Sequence, residues 1–192
     1  VMDIYFTDEK NGVAMASYGL YMVTRDGGQT WEERVVDAES DYHFNSLVDS
    51  GNGNWMIAGQ AGLSYRSRDG GQSWDLLDLP YQGSMWGAMQ SSDECVIFFG
   101  LRGHVMESCD FGTSWVEVET GSEASVSDAA RHEDKVVLAA NSGTVLIRDD
   151  SGQFSVYHHS SGVDFAAVLS LGDGAFMLVG EDGVHQYPEA GQ

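Results

Sequence analysis

Three aspartates stand in nearly identical octapeptides: Asp26 in TRDGGQTW (24–31), Asp69 in SRDGGQSW (67–74) and Asp110 in SCDFGTSW (108–115). A D-x-G run can ligate calcium, but a calcium loop converges several carboxylates at close spacing and each octapeptide carries one. The residue types fit a folded turn instead. A short aspartate or serine side chain takes backbone N–H groups, Gly28, Gly71 and Gly112 permit positive φ, and Trp31, Trp74 and Trp115 anchor the strand that leaves the turn. No metal site is expected here, and no cofactor is called for.

Other reactive residue types are scattered. His158 and His159 are adjacent and on a strand would point to opposite faces, while His43, His104, His132 and His185 show no ligand spacing. The chain contains no G-x-S-x-G elbow, phosphate-binding loop or dinucleotide fingerprint.

The elements that position the octapeptides repeat with them. The three aspartates are 43 and 41 residues apart, and a worn fourth copy, RDDSGQF, brings Asp150 after a further 40. Seven residues ahead of these aspartates lie Gly19, Gly62, Gly103 and Gly143, and Gly183 continues the series without an aspartate. Each unit reads as three alternating apolar stretches, the octapeptide and a final short run; in unit two these are FNSLV, NWMIAG, LSYRS, the octapeptide and SWDLLDL. Runs rich in Val, Ile, Phe, Tyr and Trp bounded by Gly, Asn, Asp and Ser are strands. Four strands per unit of about 40 residues predict an all-β fold, a β-propeller of four-stranded antiparallel blades. The repeats run approximately over 1–40, 41–81, 82–122, 123–161 and 162–192.

The pattern S/T-x-D-x-G-x-S/T-W resembles the Asp-box, or bacterial neuraminidase repeat, over nearly the whole chain. Units such as NGVAMASYGLYMVTRDGGQTW are similar to the photosystem II stability/assembly-factor-like family, and PYQGSMWG (80–87) and FGLRG (99–103) resemble its proteobacterial branch. The resemblance implies a non-catalytic scaffold or assembly partner, exported across the inner membrane to the periplasm and often found beside transporters of the resistance-nodulation-division type. It also implies seven blades, so five units are expected to be part of a larger ring whose missing blades lie N-terminal or are supplied by another chain. A closed five-blade ring is the alternative.

The shared repeat raises a glycosidase as the first alternative function, with a sugar-binding lectin as another. The neuraminidase resemblance implies three arginines converging on a substrate carboxylate. Of the seven arginines here, Arg25, Arg68 and Arg148 sit in or beside the boxes, leaving Arg34, Arg66, Arg102 and Arg131. Two-carboxylate glycosidases are not excluded by residue counting in a chain with thirty acids. A lectin would repeat its aromatic pockets from blade to blade, whereas here the loops vary while the boxes repeat.

Thirty acids against nine bases give a net charge of −21. Such a surface repels phosphate backbones and anionic headgroups, so nucleic acid is not an expected partner, and no apolar run reaches membrane-spanning length. A protein partner, with a membrane transporter or complex foremost, is the expectation.

Cys95 and Cys109 flank the turn near Gly100–Gly103. A three-residue turn would bring them opposite each other; a two-residue turn would place them on opposite faces. The aligned residues of unit two, Asn54 and Arg68, are polar, which suggests a surface position and a possible disulfide.

In a propeller, the loops joining strand four to the next strand one and strand two to strand three share a face, opposite the boxes. That face is expected to collect Tyr18, Tyr42, His43, Tyr81, Gln82, Met85, Trp86 and Arg102, a composition suited to protein interfaces. Met85 and Trp86 have a second reading, as the start of an inner strand filling the channel wall.

Overall fold

In the computed structural model, which describes residues 1–149 and 152–188, the chain forms five antiparallel sheets in sequence order. Blade one contains β1 (Asp3–Phe6), β2 (Gly12–Met15), β3 (Tyr21–Thr24) and β4 (Glu32–Arg34). Blade two contains β5 (Phe44–Asp49), β6 (Trp55–Gly59), β7 (Ser64–Ser67) and β8 (Asp75–Leu76). Blade three contains β9 (Met85–Gln90), β10 (Val96–Gly100), β11 (Val105–Ser108) and β12 (Val116–Glu117). Blade four contains β13 (Val126–His132), β14 (Lys135–Ala140), β15 (Thr144–Arg148) and β16 (Phe154–His158), and blade five shows β17 (Phe165–Gly172), β18 (Ala175–Gly180) and β19 (Gly183–Tyr187). The worn box aspartate Asp150 lies outside the described residues.

The pleat of the middle strands explains the packing. Second strands such as WMIAG, VIFFG and KVVLAA are apolar on both faces because a sheet lies on each side of them. Four cores result, one at each blade junction: Val13, Tyr21, Trp55 and Tyr65 between blades one and two, Met56, Leu77, Met85 and Phe98 between two and three, Ile97, Phe99, Val136 and Leu146 between three and four, and Val137, Ile147, Phe165 and Phe176 between four and five. The fourth strands of blades one to three are short and exposed; in blades two and three they are only Asp75–Leu76 and Val116–Glu117.

First strands meet around the common axis and are stapled from blade to blade. Asp3 accepts the Leu47 N–H at 2.8 Å, Asn45 Nδ2 donates to the Met85 carbonyl at 2.8 Å, and Asp128 accepts the Val168 N–H at 2.9 Å. The two end sheets keep one apolar face uncovered: Ile4 and Phe6 on blade one are 54% and 40% exposed, and Leu169 and Val184 on blade five 57% and 65%.

The boxes are turns between third and fourth strands. In each, the first hydroxyl (Thr24, Ser67, Ser108) donates to an aspartate Oδ1 at 2.7–2.9 Å and accepts a glycine N–H (Gly28, Gly71, Gly112) at 2.8–2.9 Å. The same Oδ1 takes the N–H of Thr30, Ser73 or Ser114, while Oδ2 takes that residue's hydroxyl at 2.6–2.7 Å. These donors, the hydroxyl first, hold the carboxyls of Asp26, Asp69 and Asp110 down to about 2. Trp31 Nε1 donates to the Gly28 carbonyl at 3.1 Å, whereas the indole N–H groups of Trp74 and Trp115 are buried without a partner.

Candidate interaction face

In blades one to four the turns between second and third strands are three residues long, with a non-glycine residue in the left-handed region at the centre: Tyr18 (φ 60), Ala61 (φ 55), Arg102 (φ 56) and Ser142 (φ 56). Each central N–H is taken by the linker that enters the next blade. The acceptors are His43 Nδ1 at 3.0 Å, Ser84 Oγ at 3.3 Å, Ser125 Oγ at 3.0 Å and Asp164 Oδ1 at 2.7 Å. The glycine after each centre has a physical reason. A Cβ on Gly62 would strike the Tyr81 carbonyl and one on Gly103 the Ser122 carbonyl, because the linker crosses directly over the turn.

This clamp puts turns and linkers on one face. The boxes close the opposite one, where Gly27 N–H bonds the Lys10 carbonyl and Gly70 N–H the Gly53 carbonyl, both at 2.9 Å. The clamp also leaves the side chain of the central residue free. Arg102 is exposed, as is Tyr18 at 77%, whose ring meets His43 edge-on at 5.1 Å. Tyr42 is 43% exposed, Trp86 is 40% exposed and Gln82 is exposed. Tyr81 is half-buried, its ring lying 4.1 Å from that of His104.

Met85 is a correction. It is fully buried in the core between blades two and three, because β9 begins there and alternation turns Met85 inward and Trp86 outward. His43 is half-buried and acts as the acceptor for Tyr18, so its ring builds the face as much as it decorates it.

Beside Arg102 lies a cleft of about 670 Å³ lined by His104, Glu117, Glu119, Thr120 and Glu123. His104 Nδ1 sits 2.5 Å from Glu117 Oε1, with Tyr81 against the imidazole. Sequence reading missed this pair because 13 residues and a box separate its members. It missed the linker acceptors too, although His43, Ser84, Ser125 and Asp164 recur at 41, 41 and 39 residues, a period visible in the sequence.

Cys95 and Cys109 form a disulfide on the opposite side of blade three. The Leu101–Gly103 turn is three residues long, and the register pairing Val96 with Ser108 brings the cysteines opposite each other.

Carboxylates near the axis are committed to structure. Burial pushes the Asp128 carboxyl up, the N–H groups of Val168 and Ala129 pull it back, and the charge of Asp3 raises it again; both aspartates hold backbone amides of the next blade. His158 is exposed and His159 buried, the latter against the rings of Phe165 and His185.

The family described as "Photosynthesis system II assembly factor YCF48" matches residues 1–147. The photosystem II assembly lipoprotein Ycf48 of Synechococcus sp. (strain CC9902) is 36% identical over 138 residues, covering 67% of this chain and 38% of that protein. That of Synechococcus sp. (strain RCC307) is 42% identical over 53 residues, covering 28% of this chain and 16% of its own. The chain thus spans well under half the length of these relatives. Among solved structures, "YCF48 bound to D1 peptide" superposes with a TM-score of 0.78 at 22% identity, covering 96% of this chain and 62% of that one. The WD40 β-propeller domain of Doa1 superposes with a TM-score of 0.75 at 18% identity, covering 97% and 64%. At these identities the structures speak for the β-propeller fold.

Proposed function

Because the chain belongs to the photosynthesis system II assembly factor YCF48 family, we propose that it is a non-catalytic scaffold that binds a protein partner through its turn-and-linker face. The observation that carries this reading is the clamp: four turns tie their backbones to the next linker in the same way while presenting different side chains, with Arg102 exposed beside a cleft. A rigid backbone with variable exposed Tyr, Trp and Arg is what an interface needs, since little conformational entropy is lost on binding. The solved relative described as bound to a D1 peptide supports a polypeptide ligand.

On this reading Arg102 meets a carboxylate or a polar backbone group of the partner, with Tyr18, Tyr42, Tyr81, Gln82, Trp86 and the exposed part of His43 around it. The partner is a membrane-associated complex on the exported side of a membrane. Relatives described as lipoproteins and a cysteine pair suited to an oxidising compartment support that location. The likeness of PYQGSMWG and FGLRG to the proteobacterial branch favours the periplasm, and an envelope transporter of the resistance-nodulation-division type as the first complex to test. No helix among the described residues is long and apolar enough to cross a membrane. The uncovered apolar faces of blades one and five support completion of the ring by further blades or by another chain.

Mild crosslinking and affinity purification of the tagged natural protein from its own membranes tests the proposal. Recovery of a membrane complex that an Arg102→Glu, Trp86→Ala variant fails to recover supports it. Equal recovery by the variant assigns the interface elsewhere.

A further inference from the structure

Three residues ahead of the box aspartates, on the third strands β3, β7 and β11, stand Val23, Arg66 and Glu107. Two of these reach across to the next blade. Arg66 Nη1 donates to the Phe111 carbonyl at 3.0 Å and lies 3.4 Å from Thr113 Oγ1, both in the box of blade three. Glu107 receives Arg148 of blade four at 2.6 and 3.0 Å. Val23 is too short to cross, and between blades one and two a cleft of about 820 Å³ stands open.

The groups that hold Arg66 at one junction have their counterparts in this cleft. Gly70 and Gln72, which line it, occupy in the box of blade two the places of Phe111 and Thr113. Val13, Val23 and Trp55 make an apolar wall, and Asp49 brings a carboxylate. Beneath lies Tyr21, 1% exposed, with a hydroxyl that has no hydrogen-bond partner and abuts Gly71 of the same lining.

We propose that this cleft is a second docking site, on the box face, for an arginine side chain of a partner protein, whose guanidinium takes the place toward blade two that Arg66 takes toward blade three. The chemistry matches the cleft: the Gly70 carbonyl, the Gln72 side-chain oxygen and the Asp49 carboxylate are hydrogen-bond acceptors, and the apolar wall covers the aliphatic stem. A net charge of −21 attracts a cation to the molecule. Arg25 and Arg34 also line the cleft; Arg34 is paired with Glu32 at 2.9 Å, and Arg25 is exposed, where water weakens its repulsion of a second cation. The site lies on the face opposite Arg102 and stands independently of the interface assigned there.

The test is a nuclear magnetic resonance titration of the isotope-labelled protein with acetyl-Gly-Arg-Gly-amide and with the same peptide carrying citrulline, which keeps the shape and loses the charge. Saturable shifts at the amides of Gly70, Gly71 and Gln72, at least about tenfold weaker with citrulline, are expected. Val23→Arg supplies the guanidinium from within and should abolish them. Asp49→Asn, a near-isosteric change, should weaken binding of the arginine peptide several-fold. Absence of saturable shifts, an equal response to citrulline, or full affinity in either folded variant would overturn the proposal; should Val23→Arg fail to fold, unchanged affinity in Asp49→Asn is sufficient to do so.

Discussion

Ser67 shows what a single box residue holds. It is 1% exposed, and its hydroxyl both accepts the Gly71 N–H and donates to Asp69. Ser67→Ala leaves that part-buried amide without its acceptor and should lower stability by about 1 kcal/mol, measured by urea unfolding. The box carboxyls add a pH dependence. Their folded values near 2 lie below the usual 3.8, so the stability they contribute is complete above about pH 4 and is lost as pH falls toward 2. Thermal melts of the wild type should show that loss between pH 4 and pH 2, and an Asp26→Asn, Asp69→Asn, Asp110→Asn triple variant should have a shallower slope there. At this scale the sequence was legible where a residue type is tied to a turn, as with the boxes. It was silent where partners meet only through strand pairing across a box, as with His104 and Glu117 on blade three, and of the two readings of Met85 the inner strand, not the interface, is the one its burial fits.

Whole strands are joined by two devices on blade three. Burial raises the Glu107 carboxyl, but hydrogen bonds from Arg148 and Ser91 outweigh it and leave the group below its ordinary value. Its side chain and that of Arg148 are 15% and 20% exposed. Arg148 stands where the other boxes have serine or threonine, so blade four gives up that box hydroxyl and gains an ion pair to β11 of blade three. Arg148→Ala should cost roughly 2 kcal/mol at neutral pH, less than a fully buried pair because of residual solvent, and the deficit should shrink in acid as Glu107 is protonated in both proteins. A double-mutant cycle with Glu107→Gln reads the coupling. The disulfide closes a loop of sequence separation 14, and its reduction should lower stability by up to about 3 kcal/mol without loss of the fold, seen as a lower Tm with an unchanged far-ultraviolet circular dichroism spectrum. Strand identities were open to sequence reading because glycine turns punctuate them, the final run SWDLLDL included; that this run pairs only over Asp75–Leu76 was not, since exposed edges carry little apolar pattern.

Among the described residues the fold is a row of sheets whose first and last each keep one face exposed. Should further blades complete the ring, Ile4→Glu would place a charge at a covered sheet face in the natural protein and lower its Tm by several degrees. The same change would leave the Tm of the isolated 192-residue chain nearly unaffected, because Ile4 is exposed there. Equal sensitivity in both proteins would argue that nothing covers blade one. The architecture was readable from the 40-residue period alone, since each repeat can bury its faces only against a neighbour; how the ring closes was not, because closure depends on surfaces outside the repeat.

The clamp between each turn and the following linker has a mechanical consequence. Every described junction from blade one to blade five carries one such hydrogen bond, with the linker lying directly over a glycine. An interior blade is therefore gripped from both sides and an end blade from one. Stretched between its termini, the chain should shed sheets from its ends inward, giving a staircase of extensions each about one repeat long in place of a single rupture.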